Sequence, residues 1–253
     1  MLWSIALPLA TVACGDDTTA TPELPASTEL DGSLTVLAAA SLMGAFEEIA
    51  DAFEAEHAGL DVELSFDGSA RLATAIIEGA PADLFASADE SNLARVVDAG
   101  QTRGTSSTFA SNLLQIVVAE GNPLAIDSLD DLAGPDITLS LCGAEVPCGR
   151  YAASAFDKAD LAVPPAGDQE SVKGVLTQVQ LGEADAGIVY VTDVLAAEDV
   201  EGVDLDHDQQ VEALYPASVL ADAANLGAAE AFLVFLTGPE ARAILHDLGF
   251  GLP

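Results

Sequence analysis

The chain has 253 residues, 42 Asp and Glu against 7 Lys and Arg, a formal charge of −35, and an apolar half. Such a surface repels a phosphate backbone, which excludes nucleic-acid binding, while the apolar half supplies too much buriable surface for intrinsic disorder. Acids interrupt the apolar residues before about 18 stand in a row, which excludes a polytopic membrane protein, and the length suits one large domain or two lobes.

Residues 1–13, MLWSIALPLATVA, are uncharged and apolar, and Cys14, Gly15 and two aspartates follow. A short apolar stretch ending in small residues before a Cys resembles the end of a bacterial lipoprotein signal, in which that Cys becomes the lipidated first residue of the mature chain. No Lys or Arg precedes the apolar core, and Thr11 stands where such signals usually carry Leu. Residues 14–33 then read as the lipidated Cys14 and a flexible tether, rich in Thr, Pro, Ser and acids and without a period. A lipid anchor followed by a tether places the body outside the cytoplasmic membrane, and the anchor is its one expected contact with the bilayer.

From Leu34 onward strands and helices alternate. LTVLAAA (34–40) is a short apolar strand, and residues 41–57 carry apolar residues at helical spacing with Ser41 at the N-cap. LDVELSF (60–66) alternates as a strand, a second helix runs from Ala70 to Glu78 with Ser69 at its start, and DLFASA (83–88) is a buried strand. Asp89 caps a helix to about Asp98. This β-α-β-α-β order predicts parallel strands joined by right-handed crossovers.

Further along, LLQIVVAEGNP (113–123) and DITLSL (136–141) read as strands, and PCGRYAASAFDKA (147–159) as a helix behind Pro147. ESVKGVLTQVQLGEA (170–184) is a helix with an apolar stripe, and AGIVYVTDV (186–194) a strand ending at Tyr190. VEALYPASVLA (211–221) reads as a strand passing between lobes, and residues 225–250 as two helices broken at Gly238-Pro239.

No catalytic motif is present: there is no G-x-S-x-G, Walker A, H-E-x-x-H or strand-borne G-x-G-x-x-G. Close carboxylate pairs arise by chance among 42 acids and read as solvated surface. What recurs is a small or hydroxyl residue where a strand or loop meets a helix start: Ala39-Ala40-Ser41, Gly68-Ser69, Pro147-Cys148-Gly149 and Gln169-Glu170-Ser171-Val172. Helix starts offer unpaired N–H groups and about half a positive charge, so they can hold an anion; taken singly, each Ser is equally a plain N-cap. Arg71, Arg150 and Lys173 lie one or two positions beyond these segments and predict a local positive field. Cys142 and Cys148, with five residues between them, read as a disulfide outside the cytoplasm. A redox pair or half a metal site are the alternatives, but the spacing is not C-x-x-C and the three histidines are scattered.

The segments LTVLAAASLMGAFEEIADAFE, SFDGSARLATAIIEGAPADLFASAD, EVPCGRYA, ESVKGVL, AGIVYVTDV, YPASVL and FLTGPEARAILHDLGF resemble, in this order, the periplasmic molybdate-binding proteins of ABC transporters. The resemblance covers Leu34 to Phe250 and implies an α/β, two-lobed type II periplasmic binding protein fold. Each lobe would be a mostly parallel sheet flanked by helices, with the ligand cleft between them. Lobe I would comprise residues 34–111 plus 218–253, and lobe II residues 112–217. By the family motifs, molybdate or tungstate would be held by Ser41 and Ser69 through hydroxyl and amide, Cys148 and Val172 through their N–H groups, and Tyr190 through its phenol. Cys148 stands where the family usually has Ala. The resemblance further implies a monomer that feeds an ABC transporter permease, with no catalytic residue, no cofactor and no directly coordinated metal ion. A binder of sulfate or another tetrahedral oxyanion, and an extracytoplasmic hydrolase, are the competing readings; an iron binder would use closely spaced tyrosines, whereas Tyr151, Tyr190 and Tyr215 are far apart in sequence.

Overall fold

In the computed structural model, residues 30–162 and 167–253 are described. Residues 1–13, Cys14 and the tether as far as residue 29 lie outside them.

Strand β1 (Asp31–Ala39) runs through a short 3-10 turn (Ala40–Leu42) into α1 (Met43–Glu56), and β2 (Gly59–Asp67) into α2 (Ser69–Ile77). β3 (Leu84–Ala86) and α3 (Glu90–Asp98) follow. β1 pairs in parallel with β2 and β3, the crossover arrangement expected of the alternating pattern. The body begins earlier than the expected boundary at residue 34, because Asp31–Ser33 already pair with Gly59–Asp61. The motif GAPADLF has a structural role: the buried Asp83 carboxylate accepts the N–H of Thr35 at 2.8 Å and of Asn225 at 2.9 Å.

The 18-residue strand β4 (Thr102–Ala119) is longer than the 113–123 reading, because its first half is polar and shows no period. Then come α4 (Leu129–Leu132), β5 (Leu139–Ser140), α5 (Pro147–Lys158), α6 (Val172–Gln180), β6 (Ala186–Tyr190) and α7 (Val191–Leu195). β7 (Val200–Asp204), β8 (Glu212–Leu220), α8 (Leu226–Leu236) and α9 (Pro239–Asp247) complete the described chain.

The strands follow the order β2-β1-β3-β8-β4-β6-β5, with β7 also on β4. β4 changes partners along its length: Thr102 to Leu113 pair with β8, and Leu114 to Ala119 with β6 and β7. Register shifts between Arg103 and Ser107 and between Thr108 and Ala110 bend the strand before it changes partners. β4 and β8 therefore link a sheet of β2, β1 and β3 to one of β6, β5 and β7. The α/β expectation stands, but the second sheet is not mostly parallel: β6 and β7 both run antiparallel to β4, and only β5 and β6 are parallel. β4 enters that sheet as its shared strand and forces the antiparallel pairings.

Among the described residues a large hydrophobic core runs under both sheets, and a smaller one, with Leu37 and Phe85 against Leu72, Ile76, Leu93 and Val96, joins the first sheet to α2 and α3. On the first side, Phe53 and Phe232 meet edge-on at 5.1 Å and Phe46 lies 5.7 Å from Phe109, centroid to centroid. On the second, α6 packs so closely on β6 that a Cβ at Gly187 would lie 2.4 Å from Val175 Cγ1.

Candidate functional site

Four helix starts and the end of β6 meet at one pocket, with about 210 Å³ of empty space counting its mouth. Ala39–Ser41, Gly68, Ser69 and Ala88 line it from the first sheet's side, and Val146–Cys148, Ser171, Val172 and Tyr190 from the second. The expected residues Ser41, Ser69, Cys148, Val172 and Tyr190 thus come together at one place. None of the lining side chains is charged.

The helix starts are left open toward this space. Gly68 and Val146, the N-caps of α2 and α5, have no side chain bonded to the helix amides, and Pro147 occupies the first turn of α5. First-turn amides have no acceptor within their own helix, so those facing the pocket remain available. Ser171 caps α6 by accepting from Gly174 N–H at 3.4 Å. Ser41 is not the N-cap the sequence suggests: it sits inside the 3-10 turn, because Ala39 precedes that turn and Leu42 caps α1.

Both serines are oriented by donors that the sequence reading missed. The Tyr215 hydroxyl donates to Ser41 Oγ at 3.2 Å, and Ala88 N–H donates to Ser69 Oγ at 3.0 Å. With each oxygen already accepting, each serine keeps its own proton for a further acceptor. The Tyr190 hydroxyl is buried with no partner at all, on a residue 1% exposed. Burial, followed by the neighbouring Tyr215 and Tyr151, pushes this phenol well above its ordinary value of 10. Burial raises Tyr215 as well, and Tyr151 to about 12.

Distance along the chain misleads for these tyrosines: Tyr190 lies 6.4 Å from Tyr151 and 6.0 Å from Tyr215 between ring centroids. Their clustering removes the sequence-spacing argument against an iron binder. Among the described residues no group of three or more His, Cys, Asp or Glu could hold a metal ion.

The family model of the bacterial extracellular solute-binding protein matches residues 34–251. The chain belongs to this family. Molybdate-binding protein ModA of Mycobacterium tuberculosis is 38% identical over 244 residues, covering 96% of this chain and 93% of the relative. ModA of Escherichia coli is 35% identical over 232 residues, covering 87% and 89% respectively. Among solved structures, the periplasmic molybdate-binding protein of Azotobacter vinelandii superposes with a TM-score of 0.77 at 23% identity, covering 87% of this chain and 99% of its own. The sulfate-binding protein SubI of Mycobacterium tuberculosis gives 0.78 at 24%, covering 86% of each chain. These two likenesses establish the fold.

In this solute-binding protein Cys142 and Cys148 are joined as a disulfide with a Cα–Cα distance of 5.8 Å. The bridge ties the start of α5 to the chain after β5, and Gly149 reinforces the fit: a Cβ there would lie 2.2 Å from the Gly143 carbonyl oxygen. The three basic residues expected to supply a local positive field are each paired with carboxylates. Arg71 pairs with Asp67 at 3.3 Å and with Glu170, Arg150 pairs with Asp89, and Lys173 pairs with the buried Asp193 at 2.9 Å. The overall acid excess made such neutralisation available to every basic residue near the pocket. Asp193 is pushed upward by burial, against which Lys173 and the Tyr190 N–H pull it down. Two of these pairs, Arg71–Glu170 and Arg150–Asp89, join the two sides of the pocket.

Proposed function

We propose that the protein captures molybdate, and tungstate equally, between two lobes and delivers it to an ABC transporter permease. Lobe I comprises residues 31–111 plus 218–253 and lobe II residues 112–217, with β4 and β8 as the strands that connect them. Ser41 and Ser69 bind from lobe I, and the N–H groups of Cys148 and Val172 with the Tyr190 phenol bind from lobe II. The observation that carries this reading is the Tyr190 hydroxyl, buried without a partner in an uncharged pocket built of helix starts. The names of the ModA relatives agree with it.

A buried dianion without a counter-ion must have its oxygens satisfied by donors, or desolvation defeats binding. This site is rich in donors and has no charged acceptor, and each serine oxygen already accepts one hydrogen bond, Ser69 from Ala88 and Ser41 from Tyr215. A hydrogen phosphate brings a proton for which the pocket holds no carboxylate acceptor, and is disfavoured. Sulfate is rejected by size, because its shorter bonds do not reach donors set for a larger tetrahedron. Tungstate, close to molybdate in size, is accepted. Neither serine has a histidine against the pocket to serve as a base, which argues against the hydrolase alternative.

Calorimetric titration with molybdate, tungstate, sulfate and phosphate in parallel tests the assignment. Tight binding of the first two alone supports it; tight sulfate binding with weak molybdate binding replaces it with the sulfate alternative. The protein acts as a monomer outside the cytoplasm, held to the membrane by lipid on Cys14. Replacement of Cys14 by Ser releases the protein from the membrane fraction of expressing cells; continued membrane association refutes the anchor.

A further inference from the structure

Gly68 stands at φ −60° and ψ 134°, a conformation open to any L-residue, so its backbone does not call for glycine. Space does. A Cβ built on Gly68 would lie 1.9 Å from the Glu170 carbonyl oxygen and 3.1 Å from its carbonyl carbon. Gly68 begins α2 on one side of the pocket, and Glu170 precedes α6 on the other, with 101 intervening residues that include the whole of β4 and of α5. The next residues on each side, Ser69 and Ser171–Val172, line the pocket. Arg71, less than one turn further along α2, reaches over to the Glu170 carboxylate while holding Asp67 at 3.3 Å. The first turn of α2 thus meets Glu170 twice, through backbone contact and through charge.

We propose that the Gly68–Glu170 contact is the closure point of the binding protein, with Arg71 and Glu170 as positioning residues that latch the Val172 turn over the ligand. The proposal rests on the two-lobed reading above and extends it. The absent side chain at residue 68 sets how near the lobes approach, and the Val172 N–H reaches its ligand at that approach alone. Alanine at residue 68 carries only the cost of a poorer N-cap while the lobes are apart, and obstructs the chain when they meet. Because the obstructing atom belongs to the backbone of Glu170, no rotamer change relieves it.

The test compares wild type, Gly68→Ala and Gly44→Ala, the last a control because a Cβ at Gly44 meets nothing within 4 Å. Small-angle scattering is recorded without ligand and with saturating molybdate, tungstate, sulfate or phosphate, alongside calorimetry and ligand-free melting. Wild type and Gly44→Ala are expected to contract on binding. Gly68→Ala is expected to stay expanded and bind at least about tenfold more weakly, with its ligand-free melting temperature lowered by no more than about 4 °C, the cost of the poorer N-cap. Arg71→Gln and Glu170→Gln raise the dissociation rate by similar factors, and the double variant is no faster than either one, as a shared pair requires.

Contraction of Gly68→Ala to the wild-type size with wild-type affinity overturns the proposal. So does a loss of ligand-free melting temperature well beyond about 4 °C, which marks a permanent packing contact instead of a closing one. If wild type contracts with sulfate and not with molybdate, the molybdate assignment falls and the Gly68 comparison is read with sulfate. If it contracts with none of the four, closure at Gly68 is refuted.

Discussion

Replacing Tyr190 by Phe separates binding from folding, because the hydroxyl makes no bond within the protein. The ring keeps its edge-on contacts with Tyr151 at 6.4 Å and Tyr215 at 6.0 Å, so the core loses no packing. A buried hydroxyl without a partner costs about 1–3 kcal/mol, less where water reaches it. The Tyr190→Phe variant therefore keeps its ligand-free stability or gains up to about 2 kcal/mol, at about 2–4 °C of melting temperature per kcal/mol for a chain of this size. Binding moves in the opposite direction. A hydrogen bond to a charged group is worth about 1.5–3 kcal/mol, so the molybdate Kd rises roughly 10- to 150-fold. Calorimetry gives the Kd, and thermal unfolding with and without molybdate gives the stability and its ligand-dependent gain. A variant that melts lower without ligand and binds within twofold of wild type refutes the placement of this phenol on the oxyanion.

Ser41→Ala and Ser69→Ala should each weaken molybdate binding by about 1–3 kcal/mol, and should also lower ligand-free stability, since they strand the Tyr215 hydroxyl and the Ala88 N–H. Losses below a few tenths of a kcal/mol in calorimetry for both would remove them from the site. Reducing the Cys142–Cys148 bridge should cost about 2 kcal/mol of stability on loop entropy and weaken molybdate binding, because the Cys148 N–H is no longer held in place. Unchanged affinity in reductant refutes the second effect, whatever the melting temperature does. The protonated form of Tyr190 is the donor, and its pKa is raised by burial, so affinity measured across the alkaline range should hold through pH 10. A loss centred at or below pH 10 would contradict that burial. Finally, with Arg71, Arg150 and Lys173 all paired, the charge of −35 should govern encounter, and stopped-flow association with molybdate should quicken as salt is added. A rate that falls with salt would show that the basic trio steers the ligand.

Much of the fold was legible because it is local. The spacing of apolar residues in 41–57 and 170–184 and the strand runs at 34–40 and 60–66 are periodic signals, and each places an element within a few residues of its observed bounds. The first half of β4 was not legible, since TRGTSST carries no alternation and is held in the sheet by its pairing with β8. The candidate residues were found through family motifs, while the physical pattern alone offered four helix starts with no means of bringing them together.

Residue order along the chain settles which chemistry is available: hydroxyls, amides and a phenol at helix starts, few cations, and a cysteine pair close enough to bridge. Folding in three dimensions selects which of these groups are free to act. It gave the serine oxygens to Ala88 and Tyr215, left Tyr190 unpartnered, committed the three basic residues to carboxylates, and set Gly68 against a backbone 102 positions away. The reason is range. Periodicity and capping act within a few residues of the chain, whereas the pairing of a buried polar atom is settled by whatever the fold carries next to it, at any separation along the chain.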